Sequence, residues 1–92
     1  MSDWFVYVLR CGDGSLYTGI STDVARRMAE HASGGPRAAK YLRGRGPLQL
    51  AFSVPVGGKS AALTMERWLK AQPKNRKEKI ISGHIPLPNA DC

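Results

Sequence analysis

Acidic residues are scarce in this chain. Seven Asp and Glu stand against fourteen Lys and Arg, a formal net charge of +7 on 92 residues. Such an excess makes a positive field that disfavours cationic partners and favours polyanions, nucleic acid first among them. Cysteine is scarcer still. Cys11 and Cys92 are the only two, and neither belongs to a C-x-x-C pair. A zinc site built on them and a disulfide-stapled secreted fold are both disfavoured. No apolar run approaches the length needed to cross a bilayer. The start, Met1-Ser2-Asp3, lacks the basic residues of a signal peptide. Internal repeats and low-complexity linkers are missing as well. What is left is one small reduced domain, expected in the cytoplasm, with 42% hydrophobic residues to build a compact core.

The pattern along the chain predicts an α+β fold. Trp4 to Arg10 (WFVYVLR) is aromatic and β-branched, as a strand requires. Gly12-Asp13-Gly14 signals a turn, and Ser15 to Ile20 (SLYTGI) reads as the returning strand of a hairpin. Ser21, Thr22 and Asp23 offer a choice of N-cap for a helix over Val24 to Ala32, which Gly34, Gly35 and Pro36 end. Arg37 to Arg43 is expected to add a helical turn or two. Leu48 to Val56 reads as a third strand, with Pro55 pointing to an edge or a terminus. Ser60 is the expected cap of a helix over Ala61 to Gln72, whose inward stripe is Ala62, Met65 and Leu69, joined by Trp68. Pro73 interrupts, Asn75 to Ser82 is a last basic helix, and Gly83 stops it. The predicted order is β-β-α-(α)-β-α-α: a small, mainly antiparallel three-stranded sheet flanked by helices over residues 1–83, with an irregular tail over 84–92.

Four residues stand out chemically: Tyr7, Tyr17, Arg27 and Glu66. Each has an ordinary structural explanation. Tyrosines in strands usually fill cores, and an arginine on a helix is usually solvated. The glycine after Tyr17-Thr18 opens space for a ligand to approach the strand. Glu66 sits at the margin of the buried stripe, where a carboxylate needs a partner or a cation. An ion pair with Arg27 or a nearby lysine and a metal site are equal alternatives. The hairpin loop decides how the tyrosines relate. A two-residue loop puts them on opposite faces of the sheet. A three-residue loop, with Gly14 left-handed at its third position, makes them diagonal neighbours on one face, and this register is preferred.

Taken in order, these residues resemble the GIY-YIG nuclease family. Val6-Tyr7-Val8 stands at its first motif and Tyr17-Thr18-Gly19 at its second. Arg27 matches the family's helical arginine, and Glu66 its metal-binding glutamate. The likeness runs from about Trp4 to Gly83 and is similar to the short single-domain bacterial branch. Phe5, Val6 and Thr18 depart from the motif letters, and Ile20 stands where some members have lysine. His31, one turn beyond Arg27, matches a position holding His or Tyr, and Asn75 is aligned with a polar residue on the last helix.

The resemblance implies a nuclease that uses one divalent cation, Mg²⁺ or Mn²⁺, bound by Glu66. Arg27 would grip a phosphate oxygen. A tyrosine would help deprotonate the attacking water, either Tyr7 or Tyr17. His31 would contact phosphate or relay a proton; its ordinary explanation is a charge near a helix C-terminus. Lys40, Arg43 and Arg45 around the glycine loop, with Lys70, Lys74, Asn75 and Arg76 towards the end, would hold DNA backbone. With no recognition element in view, branched, nicked or flap DNA is expected over a fixed sequence. RNA as substrate, a protein partner and a homodimer are left open. Two rival readings use the same charge: a nucleic-acid-binding module without catalysis, and a structural partner of ribonucleoprotein particles in which Tyr17, Arg27 and Glu66 do not converge.

Overall fold

The most continuous apolar run of the chain lies at the centre of the sheet. In the computed structural model, which describes residues 3–88, β1 (Trp4–Arg10) is flanked by β2 (Leu16–Ser21) and β3 (Gln49–Gly57) in the order β2-β1-β3. Both neighbours run antiparallel to it. Val6 to Leu9 are all buried because each successive side chain enters a covered face. Expectations about residues 1–2, Cys92 and the end of the tail lie outside the described residues.

Pro55 has no N–H to give, and it occurs on β3, an edge strand, as the sequence led one to expect. The nine residues of β3 face seven of β1, and the surplus is absorbed where the register shifts, between Trp4 and Phe5 and between Val8 and Leu9. The β1–β2 connection is the three-residue loop. The Cys11 N–H donates to the Ser15 carbonyl at 2.9 Å, and Gly14 takes φ +86°, a region costly for any other residue.

Helix α1 (Val24–Ser33) begins at Asp23, whose carboxylate accepts from the Arg26 N–H at 3.0 Å. Helix α2 (Lys59–Lys70) starts two residues before the expected Ala61. Gly58, not Ser60, is its cap, because the chain leaves the left-handed Gly57 already aligned for helix. Helix α3 (Lys74–Ile81) likewise begins directly after Pro73, whose carbonyl accepts from the Arg76 and Lys77 N–H groups at 3.0 Å each. The segment 37–43 yields only a 3₁₀ turn, Lys40–Leu42, where a longer helix was possible. Pro36 before it and Gly44 after it leave too few residues to propagate an α-helix. The α+β class and the element order stand.

The sheet carries two cores. On one face Val6 and Val8 pack with Met65, Leu69 and Ile80 from α2 and α3, and Trp68 joins them. On the other, Tyr7, Leu9 and Cys11 pack with Leu42 and, less deeply, with Tyr17, Val24 and Met28. Residues 84–88 form no helix or strand, yet Ile85 and Leu87 pack against the first core. Arg10 and Glu78 tie α3 to the end of β1 through two parallel hydrogen bonds of 2.7 Å. That bond holds the Glu78 carboxyl below its ordinary range.

Candidate active site

The register of the hairpin sets the site. Leu9 pairs with Tyr17 and Tyr7 with Gly19, so the two tyrosines are diagonal neighbours on the face covered by α1. Gly19 serves Tyr7 and not, as the sequence implied, an approaching ligand. A Cβ at Gly19 would stand 2.5 Å from the Tyr7 hydroxyl oxygen and 2.6 Å from ring carbon Cζ. The space beside the strand is filled by the phenol itself. Tyr7 is 1% exposed.

The Tyr7 hydroxyl lies 3.0 Å from Nε2 of His31, which α1 delivers one turn beyond Arg27. The other ring nitrogen, Nδ1, accepts from the Ala39 backbone N–H at 3.2 Å. A neutral imidazole has one N–H, so the proton belongs on Nε2 and is donated to the phenol oxygen. Burial and then the Arg27 charge lower the His31 pKa, which favours that neutral form. His31 is 3% exposed. It is therefore not a surface charge at the helix end, although it lines the cavity that Arg43 also borders. With Nδ1 occupied, it cannot accept the phenol's proton.

Burial pushes the Tyr7 phenol up to about 12, with the neighbouring Tyr17 and, more weakly, Glu66 adding to the rise and the Arg27 guanidinium opposing it. For Arg27, burial works against its charge, but the Glu30 hydrogen bond and the fields of Tyr7 and Tyr17 outweigh that and raise its pKa. Arg27 donates to Glu30 at 3.1 Å and to the Arg37 carbonyl at 2.7 Å. Tyr17 sets its ring edge-on to His31, with centroids 5.5 Å apart. Tyr7, Tyr17, Arg27 and His31 thus form one electrostatic group, and the charge of Glu66 reaches it through Tyr7.

Glu66 pairs with Lys70 at 3.4 Å and not with Arg27. Its side chain is 21% exposed and forms no hydrogen bond among the described residues. Nor do those residues contain a group of three His, Cys, Asp or Glu able to cage a metal. This donor set fits a hydrated hard cation that needs one carboxylate and fills its remaining positions with water or phosphate oxygens. A transition metal that wants several protein ligands fits it poorly.

The basic residues divide into two groups around the hairpin tip. Lys40 and Arg43 are exposed, and Arg43 lines a cavity of about 350 Å³ beside His31. Arg45 is already engaged: it pairs with Asp13 at 2.6 Å and lies 4.3 Å from the centroid of Tyr41. On the other side, Lys74 reaches Gly14, with Lys70, Asn75 and Arg76 exposed nearby in sequence. Two contributors escaped the sequence reading. Tyr41 stacks on Tyr17 with centroids 5.9 Å apart, and the Ala39 N–H orients His31. An aromatic set between Lys40 and Arg43 was a signal for the first; a backbone donor leaves none.

Residues 3–79 match the GIY-YIG catalytic domain. A UPF0213 protein of Vibrio cholerae serotype O1 is 54% identical over 83 residues, covering 89% of this chain and 80% of that one. UPF0213 protein YhbQ of Escherichia coli O127:H6 is 50% identical over 82 residues, covering 89% and 80%. The solution NMR structure of a UPF0213 protein from Bacillus halodurans is 44% identical and superimposes with a TM-score of 0.56, covering 87% of this chain and 83% of that one. The matched span takes in the two tyrosines, Arg27 and Glu66, and the chain belongs to the GIY-YIG family, in its short UPF0213 branch.

Proposed function

We propose that this protein is a divalent-cation-dependent endonuclease that hydrolyses DNA phosphodiester bonds. In this reading it selects DNA by shape in repair or recombination, and works in the cytoplasm. The observation that carries the reading is the 3.0 Å contact between the Tyr7 hydroxyl and His31 Nε2, with the opposite ring nitrogen held by the Ala39 N–H. Any buried phenol needs a partner. What supports the reading is that the Ala39 N–H on Nδ1 makes this partner a donor, aimed at the oxygen that would carry phenolate charge.

In this mechanism Tyr7 first loses its own proton to solvent and then, as the phenolate, takes the proton of the attacking water. At neutral pH a phenol raised to about 12 holds its own proton, so the chain must favour the phenolate during reaction. The His31 N–H donates to the oxygen that would carry the charge, and Arg27 opposes the rise electrostatically. A cation at Glu66 would offset the carboxylate charge that helps, weakly, to keep the phenol protonated. Tyr17, beside His31 and less buried, orients the water. Arg27, held by Glu30 and the Arg37 carbonyl, presents its planar donors to a non-bridging oxygen. Glu66 would hold Mg²⁺ or Mn²⁺, which supplies Lewis-acid polarisation of the phosphate and stabilises the leaving oxygen. Lys40, Arg43, Lys70, Lys74, Asn75 and Arg76 hold the backbone on either side, a mode of contact that reads charge and shape.

The test is cleavage of labelled plain, nicked and branched DNA, and of RNA, with Mg²⁺ or Mn²⁺. Cutting of DNA by the wild type that disappears in Glu66→Ala and in EDTA is expected. Binding without cutting, equal in both proteins, would instead favour a non-catalytic nucleic-acid module. Equal cutting of plain and branched duplex would remove the shape preference, and a preference for RNA would reassign the substrate.

A further inference from the structure

The rings leading away from Tyr7 end on one that the mechanism leaves unused. His31, Tyr17 and Tyr41 follow one another at centroid separations of 5.5 Å and 5.9 Å, and the Arg45 guanidinium lies over the last ring. Within the short 3₁₀ turn, Leu42 is 3% exposed and anchors the segment, whereas Tyr41 beside it is 43% exposed. A ring recruited only for packing would be covered like its neighbour. Instead it is supported from within by Tyr17 and kept company by an arginine that Asp13 fixes in place through a 2.6 Å ion pair. The Gly12 N–H donates to the Arg45 carbonyl at 2.6 Å, so backbone as well as side chain ties this loop to the hairpin tip.

We propose that Tyr41 and the Arg45 guanidinium laid over its ring together form a stacking platform for an unpaired nucleobase next to the scissile phosphate. The proposal rests on the nuclease reading and sharpens its substrate: DNA with an unpaired nucleotide at the cutting position. Tyr41 lies one ring beyond Tyr17, which itself adjoins His31 in the candidate site. An aromatic face and a guanidinium plane both stack on bases whatever their identity, which suits selection by structure and not by sequence. A paired base inside a duplex has its faces covered and must be unstacked before it can use the platform. A flap, gap or bulge base offers its face without that cost.

The experiment places 2-aminopurine as the unpaired base at the junction of a flap duplex. The comparison strands are the same flap with an abasic residue there and a plain duplex. Fluorescence and affinity are read in EDTA, which keeps the DNA intact, and cleavage is read separately with Mg²⁺. Wild type is expected to quench the 2-aminopurine and to bind the base-bearing flap about tenfold more tightly than the abasic one, the scale of a base–aromatic stack. Tyr41→Ala should lose both the quenching and the preference, and Tyr41→Phe should keep both. Equal wild-type affinity for the base-bearing and abasic flaps overturns the proposal without recourse to any variant. So does quenching that survives in Tyr41→Ala. Cutting that ignores the unpaired base removes the platform and leaves the nuclease reading standing. Wild type that neither binds nor cuts any of the three DNAs removes both.

Discussion

The two faces of β1 are built from alternate residues of one seven-residue strand, yet they do different work. Val6 and Val8 point to a mainly apolar core made with Met65, Leu69 and Ile80, where the buried Thr18 hydroxyl has no hydrogen-bond partner among the described residues. Tyr7 and Leu9 point the other way, into a core that contains a buried histidine, a second tyrosine and the field of an arginine. The first face can be sealed completely because nothing on it must reach water. The second keeps its polar groups paired, Tyr7 with His31 and His31 with Ala39, and is open along a margin that includes Tyr17 and Tyr41. The lesson is that period-two alternation separates stability from chemistry within a domain too small to give each its own layer.

Substitutions on each face should therefore fail differently. The largest effect is expected from Tyr7→Phe, which keeps the ring and removes the oxygen. Cleavage should fall by about 10²–10⁴-fold, the range for losing a general base. That is more than is explained by leaving the buried His31 N–H unpaired, which costs about 1–3 kcal/mol of stability. The same variant has a second signature. The folded phenol pKa lies above the ordinary value of 10, at about 12, so Tyr7 binds its proton more tightly folded than unfolded. Its contribution is present below pH 10 and is lost as pH rises towards 12; denaturant titrations over that window should show the loss in wild type and not in Tyr7→Phe.

On the sealed face, Leu69→Ala should cost about 2–5 kcal/mol of stability through lost burial and a residual cavity. Activity per folded molecule at low temperature should hold. A selective loss of cleavage there would break the division between faces.

Gly19→Ala tests how tightly the chemical face is fitted. Its new methyl would overlap the Tyr7 hydroxyl, which is held by His31 and has little room to give. Overpacking of about 1–3 kcal/mol is expected, with a cleavage defect larger than the stability change explains. An alanine variant as active as wild type would show that the phenol's place is not critical.

The smallest effect concerns acid. His31 has a folded pKa below its unfolded value, so the unfolded chain binds more protons as pH falls through the region below about 6.5. Stability should be fully present well above that value and decline as pH falls through and below it in wild type. A flatter profile in His31→Gln identifies the residue responsible. With its donor altered, this variant should also move the alkaline rise of cleavage to higher pH.

Much of this was legible in the order of residues. WFVYVLR could only be a strand, Gly12-Asp13-Gly14 placed the turn, and the preference of Gly14 for positive φ chose the register that set Tyr7 beside Tyr17. Pro55 marked an edge, and Ala62, Met65 and Leu69 marked the inward side of α2. Helix starts were less legible. A serine at position 60 is as good a cap as any in sequence, and only the backbone leaving Gly57 shows that the helix has already begun.

Partners were the least legible. Asp13 and Arg45 are 32 residues apart, as are no obvious sequence partners, and Arg10 and Glu78 are 68 apart. Pairing them requires knowing which loop folds over which turn. The role of Gly19 was misjudged for the same reason, since a missing side chain does not say what fills its place.

By itself the sequence determined the element types and the separation of apolar and polar residues along β1, and it offered Tyr7, Tyr17, Arg27 and Glu66 as candidates, with His31 added by the family resemblance. These depend on local periodicity, turn chemistry and the order of motifs, all properties of residues near one another in the chain. The tertiary structure alone decided which nitrogen of His31 bears the proton, that Glu66 answers to Lys70 and Arg27 to Glu30, and that Tyr41 stands at the surface. Each of these depends on burial and on the direction of single hydrogen bonds, and those exist only once distant segments are packed together.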